Sequence, residues 1–402
     1  MRGEVFYNTA SEFFSPLQGE EKYRTTGFNE MALIYGTCEL SFRKTADLIN
    51  RKRYQENDGT PYRTIQNITE CEGLKIQKHI EQKSEKIISL SDFSHEIINK
   101  EDALELYEPI PSELKKEEYT KIIDDFKIKP SLKSKIANNP VPYESLGNAV
   151  NISLDDVGVK EQKEKRSKTE QENIDKNETQ RKKRKYIQNT VVHIEHKDRN
   201  YMLNGYGIFY VLRLLVAFLI HNNINNIILV FYIDGHGLYS KILQFYYWNK
   251  KILIILDWYH LVKKCKELLS MAVCGSKIRN DVLDEILPLL WHGLVDEAIS
   301  YLKSIASEKI RNKKEIEHLI GYLRKNRGII PAYSVRAKIG LRNSSNRGEK
   351  ANDLLVAHRQ KKNGMSWSRT GSVSLASITA LSKNKEYQKW FDHGEIEFKF
   401  AS

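Results

Sequence analysis

Three acidic segments of the chain have the residue types and placement of ligands for divalent metal ions. Asp155 and Asp234 each end an apolar, strand-like run, and Glu349 lies just inside a predicted helix. Two aspartates at strand ends and a helical glutamate can converge on a pair of magnesium ions. Such a pair activates water or a 3′-hydroxyl and stabilises the leaving oxygen when a phosphodiester is broken. These residues therefore indicate phosphodiester chemistry.

The overall charge indicates which kind of phosphodiester. The 402 residues include 64 Lys and Arg against 52 Asp and Glu, which gives a formal net charge of +12. A chain this basic favours a polyanionic partner. Combined with the acidic segments, the charge makes DNA the expected substrate. An anionic membrane surface is the competing partner, but the sequence has no strongly amphipathic basic helix that would lie on one.

Further features indicate a cytoplasmic protein with no membrane partner. The longest apolar runs, Phe209–Ile220 and Ile227–Ile233, are too short to span a bilayer. The first residues lack the apolar core of a signal peptide. The four cysteines form no CxxC pair, which argues against both a disulfide framework and a zinc site.

Each carboxylate also has a purely structural interpretation. Asp234 precedes Gly235, where a strand gives way to a turn, so it can bind a metal or cap the next helix. Side chains alternate along a strand, so only one of Asp155 and Asp156 can face the site. We choose Asp155, because flanking apolar residues then lie sensibly on opposite faces. Glu349 resembles the glutamate of a capping box.

A fourth cluster, Asp257-Trp-Tyr-His260, follows another strand-like run. The pair could bind a metal, position a scissile phosphate or form a buried structural hydrogen bond. Trp258 in this cluster, and Trp367 near the C-terminus, could stack on an unpaired base or pack in the core. The sequence leaves these alternatives open.

The element pattern that must position these residues begins with helices. Residues 1–28 have no clear period. Within residues 29–95, Ser41 is a predicted N-cap for a helix over Phe42–Asn50, and Thr60-Pro61 opens a second helix that Gly73 is placed to end. Helix, polar turn and helix outline a helix-turn-helix DNA-binding domain, although plain helical packing gives the same pattern. The basic residues that would contact DNA include Arg43, Lys44 and Arg63.

The rest of the chain predicts an α/β sheet with a helical insertion. Residues 96–149 read as a linker with short helices, and the charged stretch Lys160–Lys185 as a solvated loop or a phosphate-contacting arm. Strand-like and helical segments then alternate up to residue 258, which indicates a mixed sheet. Residues 259–335 read almost wholly as helix.

The order of these motifs resembles the Mutator-like DDE transposases of bacterial insertion sequences. Asp234-Gly235, Asp257-x-x-His260 and the Ser-Asn-x-x-Glu349 helix carry this resemblance. The C-terminal part is similar to transposases of the Kra and Lre groups. The similar segments there are Leu319–Asn326, Ile330–Tyr333, Gly340–Glu349 and Arg359–Ser368.

The resemblance implies a fold and a set of roles. The fold would be a ribonuclease-H-like mixed sheet over residues 150–258 and 336–402, interrupted by the all-helical insertion 259–335. Asp155, Asp234 and Glu349 would be the catalytic triad and bind two Mg²⁺ ions, with Mn²⁺ as an alternative. Asp257 and His260 would support strand transfer. The basic residues flanking the glutamate would contact phosphates: Arg342, Arg359, Lys361 and Lys362.

The implied function is a DDE transposase that cleaves and rejoins DNA at the inverted-repeat ends of its element. We expect it to act as a homo-oligomer on element ends and target DNA. Two alternatives remain at this point. One is a helix-turn-helix regulator with an inert core, and the other is a ribonuclease-H-like nuclease without strand transfer.

Overall fold

A computed structural model describes the fold for residues 26–37, 40–52, 59–91, 93, 97–162, 185–246, 249 and 251–400. Most of the charged stretch Lys160–Lys185 lies outside these residues, as do residues 1–25 of the unassigned N-terminal segment. Within the described residues, no helix has both the length and the apolar character needed to cross a membrane.

The centre of the fold is a five-stranded mixed sheet with the strand order β3-β2-β1-β4-β5. Strands β1, β2 and β3 are antiparallel neighbours, whereas β4 pairs in parallel with both β1 and β5. Every residue of β4 and β5 is buried. Continuous apolar runs are typical of parallel strands that are covered on both faces. The strands are β1 (Ala149–Lys160), β2 (Tyr186–His196), β3 (Arg199–Tyr206), β4 (Ile228–Ile233) and β5 (Ile252–Leu256).

Helices surround the sheet. The helices before β1 are α1 (Thr26–Thr37), α2 (Phe42–Lys52), α3 (Tyr62–Ser89), α4 (Lys100–Leu106), α5 (Lys116–Asp124) and α6 (Pro130–Ala137). Those between the strands are α7 (Ile208–His221) and α8 (His236–Tyr246). After β5 come α9 (Trp258–Ala272), α10 (Ser276–Trp291), α11 (Val295–Ser304), α12 (Lys313–Asn326), α13 (Tyr333–Lys338), α14 (Asn346–Asn352), α15 (His358–Gln360), α16 (Arg369–Lys383) and α17 (Tyr387–His393).

The two faces of the sheet are covered by helices that are distant in sequence. Helix α7 is almost entirely apolar, and its residues Leu215 and Phe218 belong to the largest buried cluster, together with Ile152 and Leu154 of β1. On the other face, α16 contributes residues such as Leu375 to a second buried cluster that contains Val157 and Val159. Strand β1 therefore has a buried apolar surface on both sides.

The N-terminal helices share their core with the C-terminal part of the chain. Leu33, Ile49 and Ile65, from α1, α2 and α3, are buried together with Ile378 and Leu381 of α16. The hydroxyl of Ser41 accepts the backbone N–H of Lys44, as predicted for an N-cap.

The prediction that Gly73 ends the second helix is wrong. Helix α3 begins at Tyr62 and continues through Gly73 to Ser89. A Cβ atom at position 73 would lie 2.3 Å from the Cβ of Ser374 on α16, so the glycine permits a close crossing of the two helices. Thr60 is not the N-cap either, because Pro61 occupies that position.

A block of four helices, α9 to α12, follows β5 and precedes the segment with Glu349. Apolar residues of these helices, such as Leu269, Ile286 and Leu319, are buried in the same large cluster as the sheet. The three short helices α4, α5 and α6 lie in the stretch that was predicted as a linker. Tyr119 and Ile136 of this stretch are buried against residues after α11.

Candidate active site

Asp155 and Asp234 lie at equivalent positions on neighbouring parallel strands. The pairing of β1 with β4 ends at Ser153 and Tyr232, and each aspartate follows its paired residue by two positions. Asp234 comes directly after the end of β4, as predicted. Asp155, by contrast, is inside β1, which continues in antiparallel pairing with β2 opposite Val191. The two carboxylates therefore project where β4 stops and the sheet opens.

Helix α14 brings Glu349 to the same place. This helix lies against β1, where a Cβ atom on Gly348 would be 2.3 Å from the Cβ of Ser153. Only glycine allows the helix backbone to approach the strand so closely. The close approach places Glu349 and Asn352 in one cavity with both aspartates. The residues that line this cavity are Ser153, Leu154, Asp155, Tyr232, Asp234, His260, Ser345, Gly348, Glu349 and Asn352.

The electrostatics of the cavity disfavour three negative charges. Withdrawal from water is the largest influence on Asp155, Asp234 and Glu349, and it raises the pKa of each carboxyl group above its ordinary value. The charge of Asp234 further raises the pKa of Asp155, and the charge of Asp155 raises that of Glu349. The neighbouring His260 opposes these shifts in all three groups. A bound cation would relieve the same repulsion.

Asp155 and Asp156 have different surroundings. One oxygen of Asp155 accepts the Asn352 side-chain amide at 2.6 Å, and the other accepts the backbone N–H of Asp156 at 2.8 Å. The side chain of Asp156 is exposed and accepts the hydroxyl of Thr190 at 2.5 Å. Asp155 lines the cavity with Asp234 and Glu349, whereas Asp156 lines a wider cleft beside it.

Asn352 is a residue of this site that the sequence reasoning did not identify. It lies one helical turn after Glu349 and is buried. The spacing of three residues on a predicted helix was the available signal, since residues three apart share a face. An asparagine is too common on helices for that signal to be decisive.

Asp257 and His260 connect β5 to the loop before Glu349. The carboxylate of Asp257 caps helix α9 by accepting the His260 N–H at 3.0 Å, and its other oxygen accepts the Ser345 N–H. The Nδ1 atom of His260 lies 3.3 Å from Asp257, without the alignment of a hydrogen bond. Its Nε2 atom lies 3.6 Å from a carboxylate oxygen of Glu349.

The charges of Asp257 and His260 stabilise each other. Contact with Asp257 raises the pKa of His260, and the carboxylates of Glu349 and Asp234 act in the same direction. Burial alone would raise the pKa of Asp257, but its contacts with His260 and Ser345 hold that pKa below the ordinary value. The pair therefore favours a charged imidazolium beside a carboxylate at the edge of the cavity.

The predicted phosphate contacts after α13 have different outcomes. The guanidinium of Arg359 is buried, 5.2 Å from the ring centre of Phe42 and 5.3 Å from that of Trp367. The prediction that Arg359 contacts phosphates is therefore wrong, because its charge faces the protein interior. Burial lowers its pKa to about 10. Lys361 and Lys362 are exposed.

Arg342 is engaged inside the protein as well. Together with Arg347 it forms an ion pair with Glu195 of β2, whose side chain is only 3% exposed. Arg342 itself is about one-third exposed and Arg347 more than half exposed. Two arginines thus share one carboxylate close to α14, which leaves one positive charge in excess.

Of the other residues predicted to contact DNA, the basic ones lie on the N-terminal helices and the tryptophans pack against other side chains of the protein. Arg43, Lys44 and Arg63 are exposed on α2 and α3, and the Arg43 guanidinium is 5.0 Å from the ring centre of Tyr62. The two tryptophans pack in the protein interior. Trp367 is buried, and the ring centre of Trp258 is 4.9 Å from that of Trp291 and 5.0 Å from that of Tyr333.

The donor groups of the cavity fit a divalent metal ion chemically. Carboxylate and amide oxygens are the ligands that Mg²⁺ and Mn²⁺ prefer. In the part of the chain that the structure describes, neither Asp155 nor Asp234 forms an ion pair with a lysine or arginine. Among the described residues, no group of three or more His, Cys, Asp or Glu side chains is already arranged to hold a metal ion.

Comparison with known proteins gave two similarities. The model of an uncharacterised protein family, UPF0236, matches residues 211–395. This range includes Asp234, Asp257, His260 and Glu349 and excludes Asp155. One solved structure, the Drosophila P element transposase strand transfer complex, is similar at 9% sequence identity and a TM-score of 0.27. The similarity covers 98% of this chain and 86% of the chain in that structure. No curated protein matches the chain.

Proposed function

We propose that the protein is a metal-dependent DDE transposase of the Mutator-like group, which cleaves and rejoins DNA at the ends of an insertion sequence. The observation that carries this proposal is the meeting of Asp155, Asp234 and Glu349 in one cavity. These residues come from two strands and a helix that are far apart in sequence. Their convergence is what the sequence resemblance implies for a catalytic triad.

The architecture of the sheet supports a ribonuclease-H-like core. Three antiparallel strands are extended by two parallel ones in the order β3-β2-β1-β4-β5, and α14 crosses β1. In open α/β sheets, ligands bind beyond the carboxyl ends of the strands. The candidate triad lies at that edge, and helices α9 to α12 occupy the place of the proposed insertion between β5 and Glu349.

Asp155, Asp234 and Glu349 would hold the metal ions, with Asn352 keeping Asp155 in place. When bound, the metals would supply an activated water or 3′-hydroxyl and stabilisation of the leaving oxygen. Burial, with a smaller contribution from mutual repulsion, raises the pKa of Asp155 and Glu349, which is consistent with a site that gains stability from added positive charge.

The Asp257–His260 pair has a separate role in this proposal. Asp257 fixes the imidazole at the start of α9 and also holds the loop before Glu349 through the Ser345 N–H. Its carboxylate keeps His260 protonated to a higher pH than a free histidine. An imidazolium at the edge of the cavity can donate a hydrogen bond to a phosphate oxygen of the DNA.

The DNA partner is proposed from charge. The net charge of +12 favours binding to DNA phosphates. This contribution to affinity does not depend on the base sequence of the DNA. The exposed side chains on α2 and α3, Arg43, Lys44 and Arg63, would contact the element end, and Lys361 and Lys362 would contact DNA near the active site. Assembly of a homo-oligomer on two DNA ends is part of the same proposal.

The test uses duplex DNA taken from the inverted repeats that flank the gene, with Mg²⁺. Asp234→Ala and Glu349→Ala are expected to retain DNA binding and lose cleavage. The loss should exceed the about 10–100-fold effect of changing residues that merely support metal ligands. Asp155→Ala should behave in the same way, and Asp156→Ala is the matched control that should still cleave.

Each result has a defined meaning. Undiminished cleavage by Asp234→Ala or Glu349→Ala would exclude the proposed triad. A wild-type protein that binds element ends without nicking them would be a regulator with an inert core. A protein that cuts but never joins strands in a strand-transfer assay would be a nuclease of the same architecture.

A further inference from the structure

A cleft opens beside the carboxylate cavity, between β1, the end of β4 and the helices α8 and α9. Its volume is about 490 Å³. On the side of the sheet the lining is acidic, with Asp156 within β1 and Asp234 directly after β4. On the side of the helices it has an excess of basic residues, with Lys241 of α8 and Lys263, Lys264 and Glu267 of α9. The cleft therefore continues the candidate active site towards a positively charged wall.

Two of these lysines remain available to a ligand. Lys264 lies 3.9 Å from Glu267, and this pair is about half exposed. Lys241 and Lys263 form no ion pair with any residue in the described ranges. The charge of Lys263 is close enough to lower the pKa of Glu349, which places it beside the triad. Both lysines can therefore contact an anionic ligand.

The other walls leave room for a flat or backbone-like ligand. Gly235 and Gly237 line the cleft without side chains, and no atom lies within 4 Å of the position of a Cβ on Gly237. The ring of Tyr322 also lines the cleft, with its hydroxyl 3.4 Å from the backbone carbonyl of Asp234. A groove that combines basic and aromatic side chains is an arrangement that binds single-stranded nucleic acid, and here the basic side chains lie on the wall formed by α8 and α9.

The size of the cleft is sufficient for a single nucleotide. Pockets for ligands of drug size, which includes a single nucleotide, have about 300–1,000 Å³. The observed volume lies within that range, so the cleft suits a nucleotide that has left the base stack.

We propose that this cleft binds an unpaired nucleotide of the DNA strand next to the scissile phosphate. Lys241 and Lys263 contact its phosphates, and the ring of Tyr322 supports its base. This inference rests on the proposed function, because the phosphate that enters the carboxylate cavity belongs to the same strand. Asp234, which lines both the cavity and the cleft, would lie at the reacting phosphate, and the lysines of α8 and α9 would face the next phosphates.

The test compares two DNA probes by fluorescence anisotropy without divalent cations, so that no cleavage occurs. One probe is a blunt duplex, and the other is the same duplex with a short thymidine extension at either its 3′ or its 5′ end. The wild-type protein should bind an extended probe about tenfold more tightly, because stacking of one base contributes on the order of that factor.

The double variant Lys241→Gln/Lys263→Gln should lose this gain and bind the blunt duplex like the wild type. Its binding to the extended probe should also depend less on salt, by about 0.7 in the logarithmic slope for each lost contact with a single strand. Lys266→Gln/Lys277→Gln is the matched control. It removes two exposed lysines of α9 and α10 that do not line the cleft, and it should keep the gain.

Tyr322→Leu separates stacking from charge. It should reduce the gain from the extension and leave the salt slope unchanged. An equal gain in the wild type and the Lys241/Lys263 variant would overturn the proposal, as would the absence of any gain in the wild type.

The cleavage assay distinguishes this inference from the proposed function. A wild-type protein that cleaves element ends but gains nothing from the extension retains the proposed function and loses the nucleotide site. A protein that shows the gain but never cleaves with Mg²⁺ retains a nucleic-acid cleft, and it overturns both the transposase and the placement next to a scissile phosphate.

Discussion

Glu144 and the candidate triad are acidic groups with opposite surroundings. The carboxylate of Glu144 is buried and forms two hydrogen bonds of 2.6 Å with the guanidinium of Arg336, which is completely buried. Glu195 is likewise buried and faces two arginines. Asp155 and Asp234, in contrast, share a cavity with Glu349 and form no ion pair with a lysine or arginine of the described residues, and His260 is the charged neighbour that lowers their pKa.

The difference separates carboxylates that hold the fold together from those that are available to a ligand. A buried charge is tolerated when an opposite charge and hydrogen bonds compensate it. The protein supplies that compensation for Glu144 and Glu195 from its own side chains. For the triad, His260 and the Asn352 amide supply only part of it, and we infer that a cation from outside the chain completes it.

The first prediction breaks the compensated pair and has the largest effect on stability. Arg336→Met leaves Glu144 as a buried charge without its partner. It also removes the hydrogen bonds of 3.0 and 2.9 Å to the carbonyl of Arg342, which fix the loop before α14. Removing one partner of a buried ion pair costs about 3–5 kcal/mol. The free energy of unfolding from urea titration measures this loss.

The matched control is Asp234→Asn, which removes a charge from the triad. Because Asp234 pairs with no lysine or arginine of the described residues and is only a minor influence on His260, we expect the free energy of unfolding without metal to change by less than about 0.5 kcal/mol. A loss as large as that of Arg336→Met would show that the triad is compensated after all and would contradict the comparison.

The second prediction is that Mg²⁺ supplies the positive charge that the triad lacks. Mg²⁺ that binds only the folded protein stabilises it by about 2.7 kcal/mol at a concentration of 100 times its Kd. Thermal unfolding of the wild type with and without Mg²⁺ should show this increase. Asp234→Asn and Glu349→Gln should show a much smaller one. Equal stabilisation of all three proteins would place the ion elsewhere.

The third prediction concerns the Asp257–His260 pair and has the smallest effect. The folded protein raises the pKa of His260, so the pair stabilises the fold at low pH and loses its effect as pH rises through that pKa. The folded protein lowers the pKa of Asp257, so the effect also fades as pH falls through about 4. The contribution is therefore greatest between about pH 5 and pH 6.5.

His260→Gln should remove about 1 kcal/mol of unfolding free energy in that window, the upper end of the range for an ion pair that is partly exposed to water. Near pH 9 the wild type and the variant should differ much less. Urea titrations of both proteins across this pH range provide the measurement, and a difference that does not change with pH would exclude the ion pair.

The sequence predicted those parts of the site that depend on local pattern. Asp234 and Asp257 each follow a continuous apolar run, and the strands β4 and β5 end directly before them. The helix start near Ser345 and the position of Glu349 in its first turn were also predicted. In each case the change from apolar to polar residues marks the end of an element.

Features that depend on contacts between distant segments could not be predicted. Arg359 was expected at the surface, but aromatic rings from α2 and from the segment after α15 enclose it. Gly73 was predicted to end a helix. Its actual role depends on packing against Ser374, which is far along the chain and therefore not visible in the local sequence. Helix α14 also gives way to a π-helical turn, Asp353–Ala357, a change that no local sequence pattern indicated.

The packing of α3 against α16 has a consequence for biosynthesis. Ile65 and Ile68 of α3 belong to a buried cluster that is completed only by residues such as Ile378. At translation rates of about 5–20 residues per second, the intervening chain takes on the order of tens of seconds to emerge from the ribosome. During that time the apolar surface of α3 lacks its final partner.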